Sequence, residues 1–449
     1  MTVKEKEVYE VYIDDYGMEG EGIAHVDDVT LFVPYTVRSE KVKVAVDRVK
    51  GRVAFAHIIK MISPSPERME PACVAYGKCG GCTLRHLPKE VRLDIKKRNV
   101  ISLFHKNAGI ELSDIPIVSG KEDGYRNKVA LPFGVDSGLA LLGMYKRGTH
   151  KVLPLTACPL HGEWVEPLIA AVTSFVRDKN ISVYDEKTGK GLLRHLVARR
   201  LPWKEGFRYC VILVINGNEL PFEEEFAKRI SEVWTGEVSV YLCRNTLRNN
   251  VILTPNIRTL LGESFLLTGL CGGEWEVSPL SFLQVNFPIA EAIYNEVVDV
   301  VGEGAIVVDA YSGTGIMSAL LAEKAKKVVG IEVIRAATEN AMRNAVRFGV
   351  AEKVTHLCGT VEELLPQVVS EIGNYTLVVD PPRAGLDETV VDTILRCPPD
   401  RIVYVSCSPA TLTRDVARLS AAYALNNVKM YDMFPATPHV ETLVLMSKG

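Results

Sequence analysis

The sequence predicts an α/β protein of three parts: an OB-like β-barrel over residues 1–60, a central α+β region over 61–275, and a Rossmann-like, doubly wound domain over 276–449. Three observations predict it. At 449 residues the chain is too long for one ordinary core. Past residue 280, apolar runs (AIVVDA, KVVGIEV, KVTHLC, YTLVVD, RIVYVSC, TLVLM) alternate with helical stretches, the pattern of a mostly parallel sheet covered on both faces. The first 60 residues instead alternate apolar and polar in short runs.

In that first part Val42, Val44 and Val46 are spaced by two with Lys41, Lys43 and Asp47 among them, and Gly17, Gly20, Gly22 and Gly51 punctuate the runs. This reads as a small antiparallel barrel. Pro64, Pro66 and Pro71 form a stiff linker into a cysteine cluster. A basic helix is predicted next, with Leu84, Leu87, Val91 and Ile95 on one stripe. From 120 to about 275 strands predominate, RYCVILVING among them, with a few helices.

An apolar fraction of 47% and a charged fraction of 24% are those of a soluble globular protein. The opening MTVKEKEVYE has no apolar core of a signal peptide, and nowhere do about 18 apolar residues run together, so a cytoplasmic protein without a membrane partner is expected. Net charge is −3, but unevenly spread. Residues 38–60 carry seven Lys and Arg against two acids, 85–106 seven against two, and 187–208 seven against one, whereas 1–37 carry two against nine. Each run alone is an ordinary solvated face. Together they predict a basic track for phosphate contact across several parts of the chain.

Sheets of the doubly wound kind bind ligands beyond the carboxyl ends of their strands, which directs attention to Asp309, Glu332, Asp380 and Cys407. In VVDAYSGTGIM the chain turns from a strand through Ser312, Gly313, Thr314 and Gly315 into a helix, where backbone can approach a ligand and free amides are offered. Glu332 ends the next strand, placed to accept hydrogen bonds from ribose hydroxyls. Nicotinamide cofactors use the same layout, but Ser318 occupies the place of their third glycine. Asp380 leads into Pro381, Pro382 and Arg383, a stiff turn without the aromatic that serves methylation of exocyclic amino groups, and Cys407 leaves a strand between Ser406 and Ser408.

With SFLQVN, DAYSGTG, GIEV, DPPRAG, VSCSPATLTRD and HVETLVL in place, the chain resembles the RNA uracil-5-methyltransferases over essentially its whole length. The resemblance implies a class I methyltransferase domain and S-adenosyl-L-methionine as methyl donor, contacted by Gln284, Tyr311, Glu332 and Asp380. It implies Cys407 as the nucleophile that adds to carbon 6 of uracil and Glu441 as the acceptor of the carbon 5 proton. Tyr311 stands where many members have Phe, and Pro438 and His439 fall at positions that vary among relatives. The barrel resembles the TRAM domain, which with the ending YDMFPATPHVETLVLM is similar to the ribosomal group. Structured RNA, 23S ribosomal RNA foremost, is the expected partner of a monomer, with no role for DNA and with transfer RNA as the alternative. The barrel is expected to supply RNA affinity rather than chemistry. Cytosine-5 RNA methyltransferases are the nearest competitor, but they hold a second cysteine beside the fourth-strand acid, which DPPRAG lacks. From another class, a non-catalytic iron-sulfur RNA-binding protein is the competing reading.

Cys73, Cys79 and Cys82, with Cys158 in LTACPL, are candidate metal ligands whose spacing alone suits tetrahedral zinc or an iron-sulfur cluster. It lacks the three-cysteine spacing of radical enzymes. The resemblance implies the family's iron-sulfur site, of the four-iron type and structural in role.

Overall fold

The computed structural model describes residues 3–449, so residues 1 and 2 of the expected barrel lie outside the described residues. The barrel closes through one kinked strand. Val8–Tyr12 pairs with Lys41–Lys50, and the same chain continues as Asp15–Tyr16 against Gly22–Val26. Between these two edges run Val53–Ser63 and Val29–Val33, and the ring encloses Val11, Ile13, Leu31, Val44 and Ala54. One pairing departs from the antiparallel expectation: Val29–Val33 runs parallel to Val53–Ser63. The last strand seals the gap between Lys41–Lys50 and the preceding hairpin, and lying antiparallel to the first makes it parallel to the second.

The basic helix spans Lys89–Leu103. It begins after Pro88, whose fixed φ and missing N–H suit a helix start, so Leu84 and Leu87 sit in the preceding turn rather than on the helical stripe. They still join Val91 and Ile95 in a small core with Tyr16 and Val37 that glues helix to barrel. The central part is a seven-stranded sheet with Leu193–Trp203 and Gly206–Ile215 at its middle. Helices Val165–Asp178 and Glu223–Ser231 cover one face. The other face, through Val197, Leu201, Ile212 and Val214, packs on Trp275 at the boundary and on Phe287, Ile316 and Leu320 of the C-terminal part.

The C-terminal sheet consists of β1 (Ile306–Ala310), β2 (Lys327–Glu332), β3 (Val354–Cys358), β4 (Thr376–Val379), β5 (Arg401–Ser406), β6 (Tyr423–Tyr431) and β7 (Glu441–Lys448). Their order is β3-β2-β1-β4-β5-β7-β6, parallel except for β7. Between them lie α1 (Ile316–Lys324), α2 (Arg335–Arg347), α3 (Val361–Glu371), α4 (Glu388–Arg396) and α5 (Pro409–Leu419). Val307, Val308, Val378, Val379, Val403 and Val405 are buried, as strands covered on both faces require. Ile117–Val118 adds beyond β6, and Val100, Phe104 and Ile115 enter the same core, so residues 89–118 are stitched into this sheet. No helix among the described residues is long and apolar enough to cross a membrane.

In two of the three basic runs, several cations are committed to partners within the protein. Arg92 grips Glu122 at 2.7 and 2.9 Å, Arg85 pairs with Asp123 (2.6 Å), and Arg98 with Asp94 and Asp15 (2.9 and 3.0 Å). Lys96, 1% exposed, meets Asp432 at 2.5 Å, and burial holds its ammonium below the usual range despite that partner. In the later run Arg199 is buried on the Ser281 carbonyl (2.6 Å), Arg194 on that of Asn245 (2.7 Å), and Arg208 pairs with Glu237 (2.5 Å). These cations lock parts of the chain together. Exposed cations remain in all three runs: Lys43, Lys50, Arg52 and Lys60 on the barrel, Lys106 after the basic helix, and Lys187, Lys190 and Lys204 in the later run.

Candidate active site

The carboxyl ends of β1, β2, β4 and β5 meet along one edge. After β1 the chain passes Tyr311 at φ 67°, a left-handed conformation unusual for a non-glycine residue and often found at ligand sites. Gly315 has φ 75°, and a Cβ there would lie 2.6 Å from the Ala341 Cβ, so only glycine lets the loop press onto α2. Asp309 is buried and accepts a hydrogen bond from the Ser318 hydroxyl (2.5 Å). Burial first, then the charges of Asp380 and Glu332, push its carboxyl up to about 7, with Ser318 working against them. Ser318, noted in the sequence only as a missing glycine, thus anchors the first-strand acid.

The structure brings three of the four predicted donor contacts into one cavity: Gln284, Tyr311 and Asp380, with Asp309, Tyr294 and Gly313 beside them. Glu332 is not in its lining. Its carboxylate accepts the Gly313 and Ile334 amides (2.9 and 2.8 Å), which fixes the loop and leaves lone pairs for further hydroxyls. Asp380 is exposed to the cavity, yet the protein crowded around it pushes its carboxyl up to about 7.

The turn after Asp380 is braced from α5. Gly385 donates to the Pro382 carbonyl (2.9 Å), Thr411 to that of Arg383 (3.2 Å), and Arg414 to that of Ala384 (2.9 Å). Fully buried Asp415 accepts from the Leu386 amide (2.8 Å) and the Tyr404 hydroxyl (2.9 Å). These positioning residues were quoted in the sequence only as part of a motif; the recurrence of Thr411, Arg414 and Asp415 on one helix face was the available signal.

Cys407 follows β5 directly, and Glu441 opens β7. The register pairs Ser406 with Thr442, so its continuation sets Cys407 opposite Glu441. The half-buried thiol is raised by burial, then by the charges of Glu441 and Asp380, while Arg383 opposes both through charge and a hydrogen bond. Glu441, 4% exposed, is pushed up to about 8, chiefly by burial, then by Asp380, again with Arg383 opposing. One thiol, two carboxyls and one guanidinium therefore form a single electrostatic group. Cys407 also lines a second cavity of about 250 Å³.

Cys73, Cys79 and Cys82 are joined by the distant Cys158, and all four line a third cavity of about 440 Å³. The Gly81 amide donates to the Cys79 sulfur (3.3 Å) and the Arg85 guanidinium to that of Cys82 (3.5 Å). Burial raises the thiols of Cys79, Cys82 and Cys158, the last to about 11. Among the described residues no three His, Cys, Asp or Glu side chains are gathered closely enough to hold a single metal ion. Phe282 and Gln284 line both this cavity and the one bearing Asp380.

Residues 274–449 match the family model described as tRNA (Uracil-5-)-methyltransferase, and residues 2–59 match the TRAM domain. An uncharacterized RNA methyltransferase of Clostridium acetobutylicum is 37% identical over all of this chain and 98% of its own length. Another, from Staphylococcus aureus (strain MSSA476), is 33% identical over 96% of each chain. The crystal structure of Pyrococcus abyssi tRNA (uracil-54, C5)-methyltransferase, in complex with S-adenosyl-L-homocysteine, superposes with a TM-score of 0.78 at 27% identity, covering 98% of this chain and all of that one.

Proposed function

We propose, for a chain that belongs to the TRAM-containing RNA uracil-5-methyltransferase family, a reaction in which Cys407 adds to carbon 6 of a uridine and Glu441 removes the carbon 5 proton. The observation that carries this reading is their opposition across β5 and β7, with Asp380 and Arg383 beside both. S-adenosyl-L-methionine supplies an electrophilic methyl group when bound. Its fit to the first cavity is supported by Asp309 and Asp380, carboxyls raised by burial that a cation would stabilise in their charged form. Gln284, Tyr311 and Asp380 would line it, and the free lone pairs of Glu332 suit its ribose hydroxyls.

The Cys407 thiolate forms the sulfur–carbon 6 bond, which places the displaced electron pair on carbon 5 and its conjugated oxygen. Carbon 5 then takes the methyl group and for a moment carries both methyl and hydrogen. Glu441 accepts that proton, the double bond reforms, and the carbon 6–sulfur bond breaks to return the thiolate. Arg383 favours the charged forms of both groups and so poises them. Uracil over cytosine is supported by the absence of a cysteine in DPPRAG.

We also propose that Cys73, Cys79, Cys82 and Cys158 hold an iron-sulfur cluster of the four-iron type. Around a single zinc, sulfurs sit about 3.8 Å apart given zinc–sulfur bonds of about 2.3 Å. A cubane spreads its thiolates farther and needs a roomier site, and the four cysteines line one cavity of about 440 Å³. The Gly81 amide and Arg85 would donate to its sulfurs. Its role is to brace the central part, since methyl transfer consumes no electron.

For the RNA, 23S ribosomal RNA is supported by the likeness of the barrel and the last strands to the ribosomal group. Transfer RNA is the second reading, favoured by whole-chain similarity to the Pyrococcus enzyme. Mapping 5-methyluridine in both RNAs from cells with and without the gene tests this. Loss at a ribosomal position alone is expected, and loss confined to transfer RNA overturns it.

A further inference from the structure

We infer that the barrel turn carrying Met18 and Glu19 is a wall of the pocket that receives the target uridine, so that the barrel positions the base against Cys407 as well as binding RNA. The inference rests on the reading of Cys407 as nucleophile. The cavity of about 250 Å³ at Cys407 draws its walls from four places: Arg383 and Ser408 of the C-terminal part, His439 before β7, Asn99 of the basic helix, and Met18 and Glu19 of the barrel. It is somewhat smaller than ligand clefts of roughly 300–1,000 Å³, a size for one extruded base rather than a duplex.

The turn is built rather than loose. Gly17 and Glu21 close it (2.8 Å), as do Gly20 and Gly17 (3.0 Å). Gly20 is left-handed at φ 76°, and a Cβ there would lie 2.4 Å from Leu84, so the turn is pressed onto the segment before the basic helix. The helix holds it from the other side, where the Asn99 amide donates to the Met18 carbonyl and Arg98 pairs with Asp15. At this rim Met18 stays 46% exposed. A soft, apolar side chain on the wall of the cavity that holds Cys407 offers an extruded base a surface in place of lost stacking. Glu19 repels phosphate, which favours the base rather than the backbone at the opening.

Glu19 and His439 also line an adjoining cleft with Phe32, Tyr35 and Phe55 of the barrel and Arg147 of the central part. The Phe32 and Phe55 rings lie 5.8 Å apart, and Arg147 sits over Tyr35 at 5.4 Å. A strand leaving the pocket thus meets rings on which neighbouring bases stack. The barrel reaches the chemistry at one end of this path and the flanking nucleotides at the other.

The test is single-turnover methylation at saturating RNA, using ribosomal and transfer RNA transcripts, alongside RNA affinity. Met18→Ala is expected to slow the saturated rate by about tenfold or more, as misplaced reactants do, and to leave affinity within about threefold. Met18→Leu should restore the rate. An unchanged saturated rate for Met18→Ala, whatever happens to affinity, overturns the inference, as does failure of Met18→Leu to rescue. Cys407→Ala run in parallel separates the two readings. If it turns over, the nucleophile assignment is wrong; if it is dead while Met18→Ala matches wild type, only the wall is wrong.

Discussion

Two cavities in this molecule are built around cysteine, and they treat the thiol in opposite ways. Cys407 stands at a sheet edge opposite Glu441, with Asp380 and Arg383 supplying charge of both signs. Cys73, Cys79, Cys82 and Cys158 instead line one shared cavity, and the donors near them are a backbone amide and Arg85. Burial raises the thiols in both places. The difference is what can lower them again. Beside Cys407 it is one exposed arginine, Arg383; among the four it would be a permanent ligand. A reactive cysteine and a set of holding cysteines thus differ less in burial than in whether their stabilising charge belongs to the protein or to the guest.

The sharpest way to break that contrast is to delete each thiol separately. Cys407→Ala should reduce methylation by more than about 10⁴-fold, because no carbon 6 adduct can form, while iron content and thermal midpoint stay near wild type. Serine at any of Cys73, Cys79, Cys82 or Cys158 should do the reverse, lowering soluble yield and bound iron in protein made without oxygen. Metal analysis returning stoichiometric zinc in the wild type would remove the cluster from the comparison.

Glu441→Gln sharpens the first half. Adduct formation and methyl transfer remain open to it, but proton removal should slow by roughly 10²–10⁴-fold, so a methylated covalent complex accumulates on a denaturing gel with labelled donor. If the variant binds donor and RNA yet forms no adduct, Glu441 acts before proton abstraction.

Acidity separates the cavities next. Glu441 and Cys407 both have folded values raised above the ordinary ones, so their charged forms appear only as pH rises. Turnover should therefore climb with pH through about 8. Stability should move the other way. A carboxyl raised by burial contributes most while protonated, so that contribution is lost as pH rises from the unfolded value through about 7 for Asp309 and Asp380 and about 8 for Glu441. Glu441→Gln should flatten the upper part of that loss in thermal melts against pH.

The sequence disclosed the residues of both cavities but not what holds them. Apolar strands ending in Asp309, Glu332, Asp380 and Cys407 are legible because full burial writes itself as continuous Val and Ile. Lys96 counts within a basic run because its partner, Asp432, lies 336 residues away, beyond any local pattern. Leu84 and Leu87 matched a helical period but precede Pro88, and packing against the barrel rather than a helix set their spacing. Ser318 and Asp415 do their work through single hydrogen bonds, to Asp309 and to the Leu386 amide, which leave no periodic trace.

The smallest expected effect concerns the segment between the cavities. Phe282 and Gln284 face both, and the segment is held from the cysteine side by its backbone: the Asn127 amide donates to the Gln284 carbonyl (2.9 Å), the Asn127 N–H to that of Val285 (3.0 Å), and Arg199 to that of Ser281 (2.6 Å). Asn127 sits between Arg126 and Lys128, which line the cysteine cavity. If the cavities are mechanically independent, trimming this bond matters to neither. If the central part positions Gln284 for the donor, Asn127→Ala removes one side-chain hydrogen bond of about 1 kcal/mol and should weaken donor affinity by about fivefold. The methyl-transfer rate at saturating donor should stay near wild type, because Cys407, Asp380 and Glu441 hang from other strands. Calorimetric titration of S-adenosyl-L-homocysteine reads the first quantity and single turnover the second. A loss of rate without a loss of affinity would mean that the segment orients the reacting groups themselves, and the separation between a holding region and a reacting one would then fail at this seam.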